Sequence, residues 1–172
     1  ALPPITALHI NHGLHEDAND WAAHCAAVAS DLGVEFHERV VSVDEGASPE
    51  AQARDARYSV FESFLATGDV LLLGHHLDDQ VETVLFRLIR GAGPSGLAGI
   101  PEKRPLGRGL LMRPLLGIRR DQIEDYADSQ ELDYLNDGSN YDTRYDRNFL
   151  RHEVLPLIES RWPGYRSGFA RS

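Results

Sequence analysis

The chain has 172 residues, 42% of them hydrophobic, a single cysteine and a formal net charge of −10. That length and apolar content support one ordinary core and exclude a disordered tail; the lone Cys25 excludes an internal disulfide, and no uninterrupted apolar run reaches the roughly 18–20 residues that span a bilayer. The acidic balance argues against nonspecific coating of phosphate backbones, which depends on lysine and arginine.

These limits describe a soluble protein of a reducing, cytoplasmic compartment with no membrane partner. The sequence lacks an initiator Met and a secretory pattern, and "ALPPITALHI" runs straight into a strand, so it reads as beginning inside a larger protein. "ITALHI" (5–10) is a short buried strand. "EDANDWAAHCAAVASDLG" (16–33) follows as a helix with Trp21, Cys25, Val28 and Leu32 on one face and a stop at Gly33. "VEFHERVVSV" (34–43) alternates and is rich in β-branched residues, as a second strand would be. Ser48-Pro49 is a helix start, with Ser as N-cap and Pro at the first helical position, and the helix runs on through residues 50–67. "DVLLLG" (69–74) is a third strand, apolar enough to be covered on both faces. The next helix starts near Asp78 and buries Val81, Val84, Leu85, Leu88 and Ile89. This βαβαβα order predicts an α/β fold, an open parallel sheet with helices on both faces.

From residue 91 the texture changes. "GAGPSGLAGIPEKRPLGRG" (91–109) contains six Gly and three Pro, which predicts a long mobile loop, a lid or binding loop by its length. Then come "LLMRPLLG", a helix around "RRDQIEDYADSQ", a polar turn at "NDGSNYDT" and a last helix from "RNFLRHEVLPLIES". The expected organisation is an α/β domain over 1–113 and a small, mostly helical extension over 114–172. Arginines gather in "RLIRGAG", "EKRPLGRG", "MRPLLGIRR" and "YDRNFLR", a pattern compatible with a nucleic-acid partner on one side and equally with a solvated surface.

In an open parallel sheet, ligands bind beyond the carboxyl ends of the strands. Two polar turns fall there, "HINHGL" after the first strand and "GHHLDD" after the third. Gly74 lets backbone approach a ligand, and the helix N-terminus behind it offers unpaired N–H groups. Asp78, Asp79 and Glu82 share one face of the following helix. Such carboxylates suit Mg²⁺ on a polyphosphate or an ammonium group; acids in a first helical turn are also favoured by the dipole without any function. His9, His12 and His15 with His75 and His76 raise a transition-metal site as an alternative, although their spacing matches no finger pattern and cysteine partners are lacking.

Taken together, "HINHGLHEDANDWAAHC", "EAQARDARYSVF", "LGHHLDDQVETVLFRLIRGAGPSGLAGI", "RPLLGIRRDQI" and "DGSNYDTRYDRNFLRHEVLPLI" resemble, in order and nearly end to end, signature stretches of the bacterial tRNA(Ile)-lysidine synthetases of the PP-loop ATP pyrophosphatase superfamily. The resemblance implies the adenine nucleotide alpha hydrolase-like fold and a two-step ligation. ATP, with Mg²⁺, adenylates C2 of the wobble cytidine of tRNA(Ile) bearing a CAU anticodon; the ε-amino group of free L-lysine then displaces AMP. It further implies an ATP pocket with His9, Asn11, His12, Gly74, His75 and one or both of Arg54 and Arg57. Asp79 and Glu82 would bind lysine, with Mg²⁺ at Asp79, and His76 and Asp78 would support them in catalysis. Arg147 would face phosphates or the activated intermediate, and Arg90, Gly91, Gly93, Arg113 and Asn148 would lie beside the tRNA.

One departure stands out: the Ser-Gly-Gly-x-Asp-Ser phosphate loop of PP-loop enzymes is not in this sequence, whose first strand matches the family's second. The chain is therefore expected to be an internal fragment that does not ligate alone. A tRNA thiolase, a metal-dependent phosphohydrolase and a non-catalytic nucleotide- or RNA-binding remnant are the rival readings, and the oligomeric state, a homodimer among the options, is open.

Overall fold

A computed structural model describes residues 3–42 and 49–170. The chain forms two compact units, one of residues 1–69 with 106–109 and the other of residues 70–105 with 110–172. Within the second unit, the third strand pairs with a strand that follows it in the chain.

In the first unit, β1 (Thr6–Asn11) pairs in parallel with β2 (Glu35–Val40), in register from Thr6↔Glu35 to Asn11↔Val40. The crossover is α1 (Ala18–Asp31). It stops where predicted, because Gly33 adopts φ 65° and lets the chain turn back: Gly33 N–H donates to the Ser30 carbonyl at 3.0 Å and Val34 N–H to that of Ala29 at 2.8 Å. Two carbonyls otherwise orphaned at the helix end are thereby satisfied. The buried face of α1 differs from expectation. Ala22 and Ala29 are the buried residues, while Val28 is 39% and Leu32 73% exposed; small alanines at i and i+7 allow close packing that the larger side chains would block. α2 (Pro49–Phe64) has proline at its first position as expected, Ser48 lies outside the described residues, and its Phe61, with Leu65 just past its end, is buried.

In the second unit, β3 (Val70–Leu72) pairs in parallel with β5 (Gly109–Met112), and β5 continues the hairpin from β4 (Lys103–Leu106), giving the order β3-β5-β4. The described strands fall into a two-stranded and a three-stranded group, and the parallel pairings of β1 with β2 and β3 with β5 agree with the expected α/β fold; two narrower expectations fail here. β3 is not covered on both faces: Val70 is 48% and Leu72 61% exposed. The 91–109 segment is not a loop throughout, since it holds a helical turn, α4 (Pro94–Leu97), and one arm of the hairpin. Proline misled the reading because Pro105 sits on the edge strand β4, where a missing N–H costs no ladder bond.

α3 (Leu77–Ile89) follows β3 directly. Val81 of α3, Leu155 and Tyr165 form a buried cluster against which Leu85, Ile158 and Phe169 pack; each such side chain contributes about 1.5–3 kcal/mol. The last turn of α3 runs past this cluster, so Leu88 and Ile89 are 52% and 64% exposed, contrary to expectation. Beyond it lie α5 (Arg120–Ser129), a 3₁₀ turn (Gly138–Tyr141) and the expected last helix, which is broken into parts. These are α6 (Asp146–Phe149), a π turn over Leu150–Val154 and α7 (Leu155–Arg161), followed by α8 (Tyr165–Ala170). Pro156 explains the break: it has no N–H to give one turn back, and the ladder widens just before it. No helix among the described residues is long and apolar enough to cross a membrane.

Candidate active site

The first unit carries the residues expected at adenosine. Asn11, at the end of β1, is 4% exposed and serves as a pin. Its amide donates to Asn19 at 3.1 Å and Glu38 at 3.0 Å, and its Oδ1 accepts from Gly13 N–H at 2.9 Å. It thereby fixes the polar turn to both α1 and β2. His9 stacks on Phe36 at 6.5 Å within the sheet. Burial, then the charge of Arg57 and His9, holds the His12 imidazole below its ordinary pKa, hence neutral at pH 7, and its Nδ1 is buried with no protein partner. The two arginines separate clearly. Arg54 is exposed and lies over the Tyr58 ring at 4.9 Å, whereas Arg57 is half-buried near His12, and burial, with the neighbouring Arg54, lowers its pKa. No carboxylate among the described residues is found paired with Arg57, so its half-buried guanidinium is open to an anion.

The second unit carries the acidic turn. His76 is the N-cap of α3, and its N–H donates to Asp79 Oδ2 at 2.9 Å, the reaching-back half of a capping box. The Nε2 of His76 lies 3.6 Å from the same oxygen. The capping role foreseen for a first-turn acid is thus real for Asp79, although its other oxygen stays 4.0 Å from Arg151 Nη2. Asp78 accepts from the backbone N–H of Arg120 at 2.8 Å, capping α5 from a distance, and from Arg166 Nε at 2.8 Å. Burial would raise its pKa, but these hydrogen bonds and the charges of Arg166 and His76 outweigh burial and hold it below the ordinary carboxylate range.

Glu82 is already engaged by a guanidinium. It is 0% exposed, and Arg151 takes both of its oxygens, Nε to Oε1 at 2.7 Å and Nη2 to Oε2 at 3.0 Å. In this arrangement Glu82 holds Arg151 in place, and an ammonium at Glu82 would have to displace that bidentate guanidinium. Arg147, one turn before, donates to Thr83 Oγ1 at 3.2 Å.

Between α3, α5, α7 and α8 lies a cavity of about 310 Å³. Asp121, Glu124 and Glu159 join Asp78 and Glu82 on its wall, and these five carboxylates outnumber the guanidiniums of Arg120, Arg151 and Arg166. Arg151 and Arg166 went unnoticed in the sequence. Arg151 had a signal, since it lies one helical turn beyond Arg147 in "DRNFLR"; Arg166, in "GYRSGF", had none.

The residues expected beside tRNA fall in different settings. Arg90 is exposed over the Phe86 ring at 5.2 Å, with Gly91 and Gly93 in the turn after it. This turn is tethered, not loose. Arg87 Nη1 donates to the Gly96 and Gly99 carbonyls at 3.0 and 2.8 Å, and Ile100 N–H donates to Gln80 Oε1 at 2.6 Å. Gly99 suits this turn because it adopts φ 67°, a left-handed backbone that strains other residues. Arg113 is 3% exposed and donates to the Pro101 carbonyl at 2.6 Å. Asn148 spends its amide on the Ser139 and Asp142 carbonyls at 2.8 and 3.0 Å, while Gly74 is exposed and His75 half-buried beside the turn.

Among the described residues, no three His, Cys, Asp or Glu side chains converge as metal ligands. The carboxylates of α3 are engaged by N–H and guanidinium groups, which does not suit a protein-held Mg²⁺; no step below is routed through one.

The PP-loop domain family matches residues 1–158 of the chain. Among curated proteins, the chain is 52% identical over 171 residues to the tRNA(Ile)-lysidine synthase of Pseudomonas aeruginosa, covering 99% of the chain and 39% of that relative. It is 46% identical over 176 residues to that of Legionella pneumophila strain Paris, covering 100% and 41%. It is 47% identical over 170 residues to that of Coxiella burnetii, covering 98% and 38%. The chain thus spans about two-fifths of the length of these relatives. Among solved structures it resembles the U34-tRNA thiolase NcsA from Methanococcus maripaludis with its 4Fe–4S cluster, at TM-score 0.73 and 19% identity over 98% of this chain and 60% of that one. At that identity the likeness bears on the fold alone.

Proposed function

We propose a function from one premise: the chain belongs to the PP-loop domain family. The protein that contains it ligates L-lysine to C2 of the wobble cytidine of tRNA(Ile) with a CAU anticodon, using ATP and forming lysidine through an adenylated cytidine. The observation that carries this reading is identity near one-half to tRNA(Ile)-lysidine synthases along essentially the whole chain. A cytoplasmic setting fits that reaction.

The residues divide the work as follows. Arg57, half-buried without a carboxylate and beside a neutral His12, offers positive charge and an open ring nitrogen to the nucleotide; Asn11 keeps that turn in shape. Positive charge placed where pyrophosphate departs stabilises the leaving group. In the second unit, Asp79 and the cavity's excess of carboxylates attract the ammonium of lysine. Attack requires the ε-amine to lose a proton, and His76, which faces Asp79, is the group in position to take it. Arg151 neutralises Glu82 and stays close to Asp79, and Arg147 stands next to it toward the activated base. Mg²⁺ would accompany ATP, not a site made by these side chains.

The thiolase alternative is disfavoured by chemistry within this chain. Iron–sulfur clusters are held by several cysteines, and Cys25 is alone.

The test is to incubate the full-length protein with ATP, L-lysine and a tRNA(Ile) CAU transcript, then digest the RNA and analyse it by mass spectrometry. Lysidine at the wobble position, dependent on both ATP and lysine, is the expected result. Sulfur incorporation, or an unmodified cytidine under conditions in which the protein is folded, would overturn the proposal.

A further inference from the structure

We propose that Arg166 is a positioning residue for the acidic turn of α3, acting through Asp78; its bearing on the reaction rests on the function proposed above. Arg166 lies in α8, beyond the residues matched by the PP-loop family. Its place is fixed by its neighbour: Tyr165 is 7% exposed in the cluster with Val81 and Leu155, and its ring lies 4.8 Å from the guanidinium carbon of Arg166. The guanidinium then divides its fork between two carboxylates. Nε donates to Asp78 Oδ1 at 2.8 Å, while Nη1 and Nη2 donate to the two oxygens of Glu159 in α7. A planar fork gripped at both ends has almost no freedom, which a lysine ammonium could not reproduce.

Asp78 is thereby a junction of three helices. It lies in the first turn of α3, its Oδ2 accepts the first N–H of α5, and its Oδ1 is clamped from α8. The same Oδ2 stands 3.9 Å from His76 Nδ1. With Arg166 gone, the His76 ring is the ion-pair partner left within 4.0 Å, among the described residues, of a carboxylate that is only 14% exposed. Asp78 is then drawn toward the imidazole and competes with Asp79 for it. The turn that presents His76 and Asp79 loses its single geometry, so the lysine step suffers while the nucleotide step does not.

The experiment uses the full-length protein. Adenylation of tRNA is followed without lysine, and lysine transfer is followed separately on pre-adenylated tRNA, for Arg166→Met, Arg166→Lys, Asp78→Asn and the double variant Asp78→Asn/Arg166→Met. Arg166→Met is expected to lower kcat/KM for lysine roughly 10- to 100-fold, the scale of a misplaced reacting group, with adenylation unchanged. Arg166→Lys should recover part of the loss, and Arg166→Met should cost nothing further in the Asp78→Asn background. Hydrogen exchange without substrate should show faster exchange at the first turns of α3 and α5 in Arg166→Met. Equal losses in both steps that track the melting temperature, full additivity in the double variant, or unchanged exchange would each overturn the proposal. If the wild-type protein makes no lysidine, the functional reading falls, and the exchange measurement still decides whether the clamp exists.

Discussion

Replacing Arg151 with Met leaves Glu82 as a carboxylate with no surface exposure and no guanidinium. Both of its oxygens lose charge-assisted bonds of 2.7 and 3.0 Å. Removing one partner of a buried pair typically costs 3–5 kcal/mol, because the remaining charge is uncompensated. Arg151 is itself 21% exposed, so water can reach its end of the gap, and the low end, about 3 kcal/mol, is the expected value. With a urea m-value of roughly 2 kcal/mol/M, the midpoint falls by about 1.5 M. The assay is urea unfolding of the 172-residue chain followed by tryptophan fluorescence, with Arg119→Gln, whose partner Asp121 is well exposed, as a control that leaves the midpoint in place. The double variant Glu82→Leu/Arg151→Met should regain most of the lost stability, since an apolar pair removes the stranded charge. A shift for Arg151→Met no larger than that of the control, or a double variant worse than the single, would refute the burial argument.

Asp78 has a lowered pKa in the folded state, so its stabilisation is complete above the unfolded carboxylate value of about 3.9 and is lost as pH falls through the lower folded value. The melting-temperature gap between wild type and Asp78→Asn should therefore be constant from about pH 7 to 5 and close below about pH 3; a gap that widens on acidification contradicts the assignment. Glu131, just past α5, adopts φ 52° where Leu132 N–H returns to Ala127 at 2.9 Å. Because a side chain is strained there, Glu131→Gly should stabilise the chain by about 0.5–1 kcal/mol, read as a raised urea midpoint. In the full-length protein, Arg57→Met should weaken ATP binding roughly 10- to 100-fold, the worth of a charged hydrogen bond, and Arg54→Met should leave it unchanged; isothermal titration distinguishes the two.

Much of the architecture was legible because local signals and tertiary structure agree. Gly33 ends α1 where the hydrophobic pattern does, Pro49 opens α2, and the acids of α3 fall in its first turn. The misreadings have a common cause: periodicity tells which residues are apolar, not what stands opposite them. Leu32, Leu72, Leu88 and Ile89 all belong to apolar patterns, yet all are exposed. Pro105 has a different meaning on an edge strand than in a central one, and only pairing reveals which applies. At the site, the turn "GHHLDD" could be found from its chemistry, and the separation of Arg54 from Arg57 needed only burial. The guanidiniums that occupy Asp78 and Glu82 come from 88 and 69 residues further along the chain, and no local pattern encodes such a meeting.

The two borders of the three-stranded sheet are finished differently. Along β4 the border carries Lys103, Arg104 and Pro105, residues that refuse another strand by charge and by a missing donor. Along β3 there is neither charge nor proline, only Val70, Leu71 and Leu72, with the first and last well exposed. Among the described residues, β3 is thus the border of this sheet without the features that turn a further strand away, and the crowded chemistry of "GHHLDD" begins two residues beyond it.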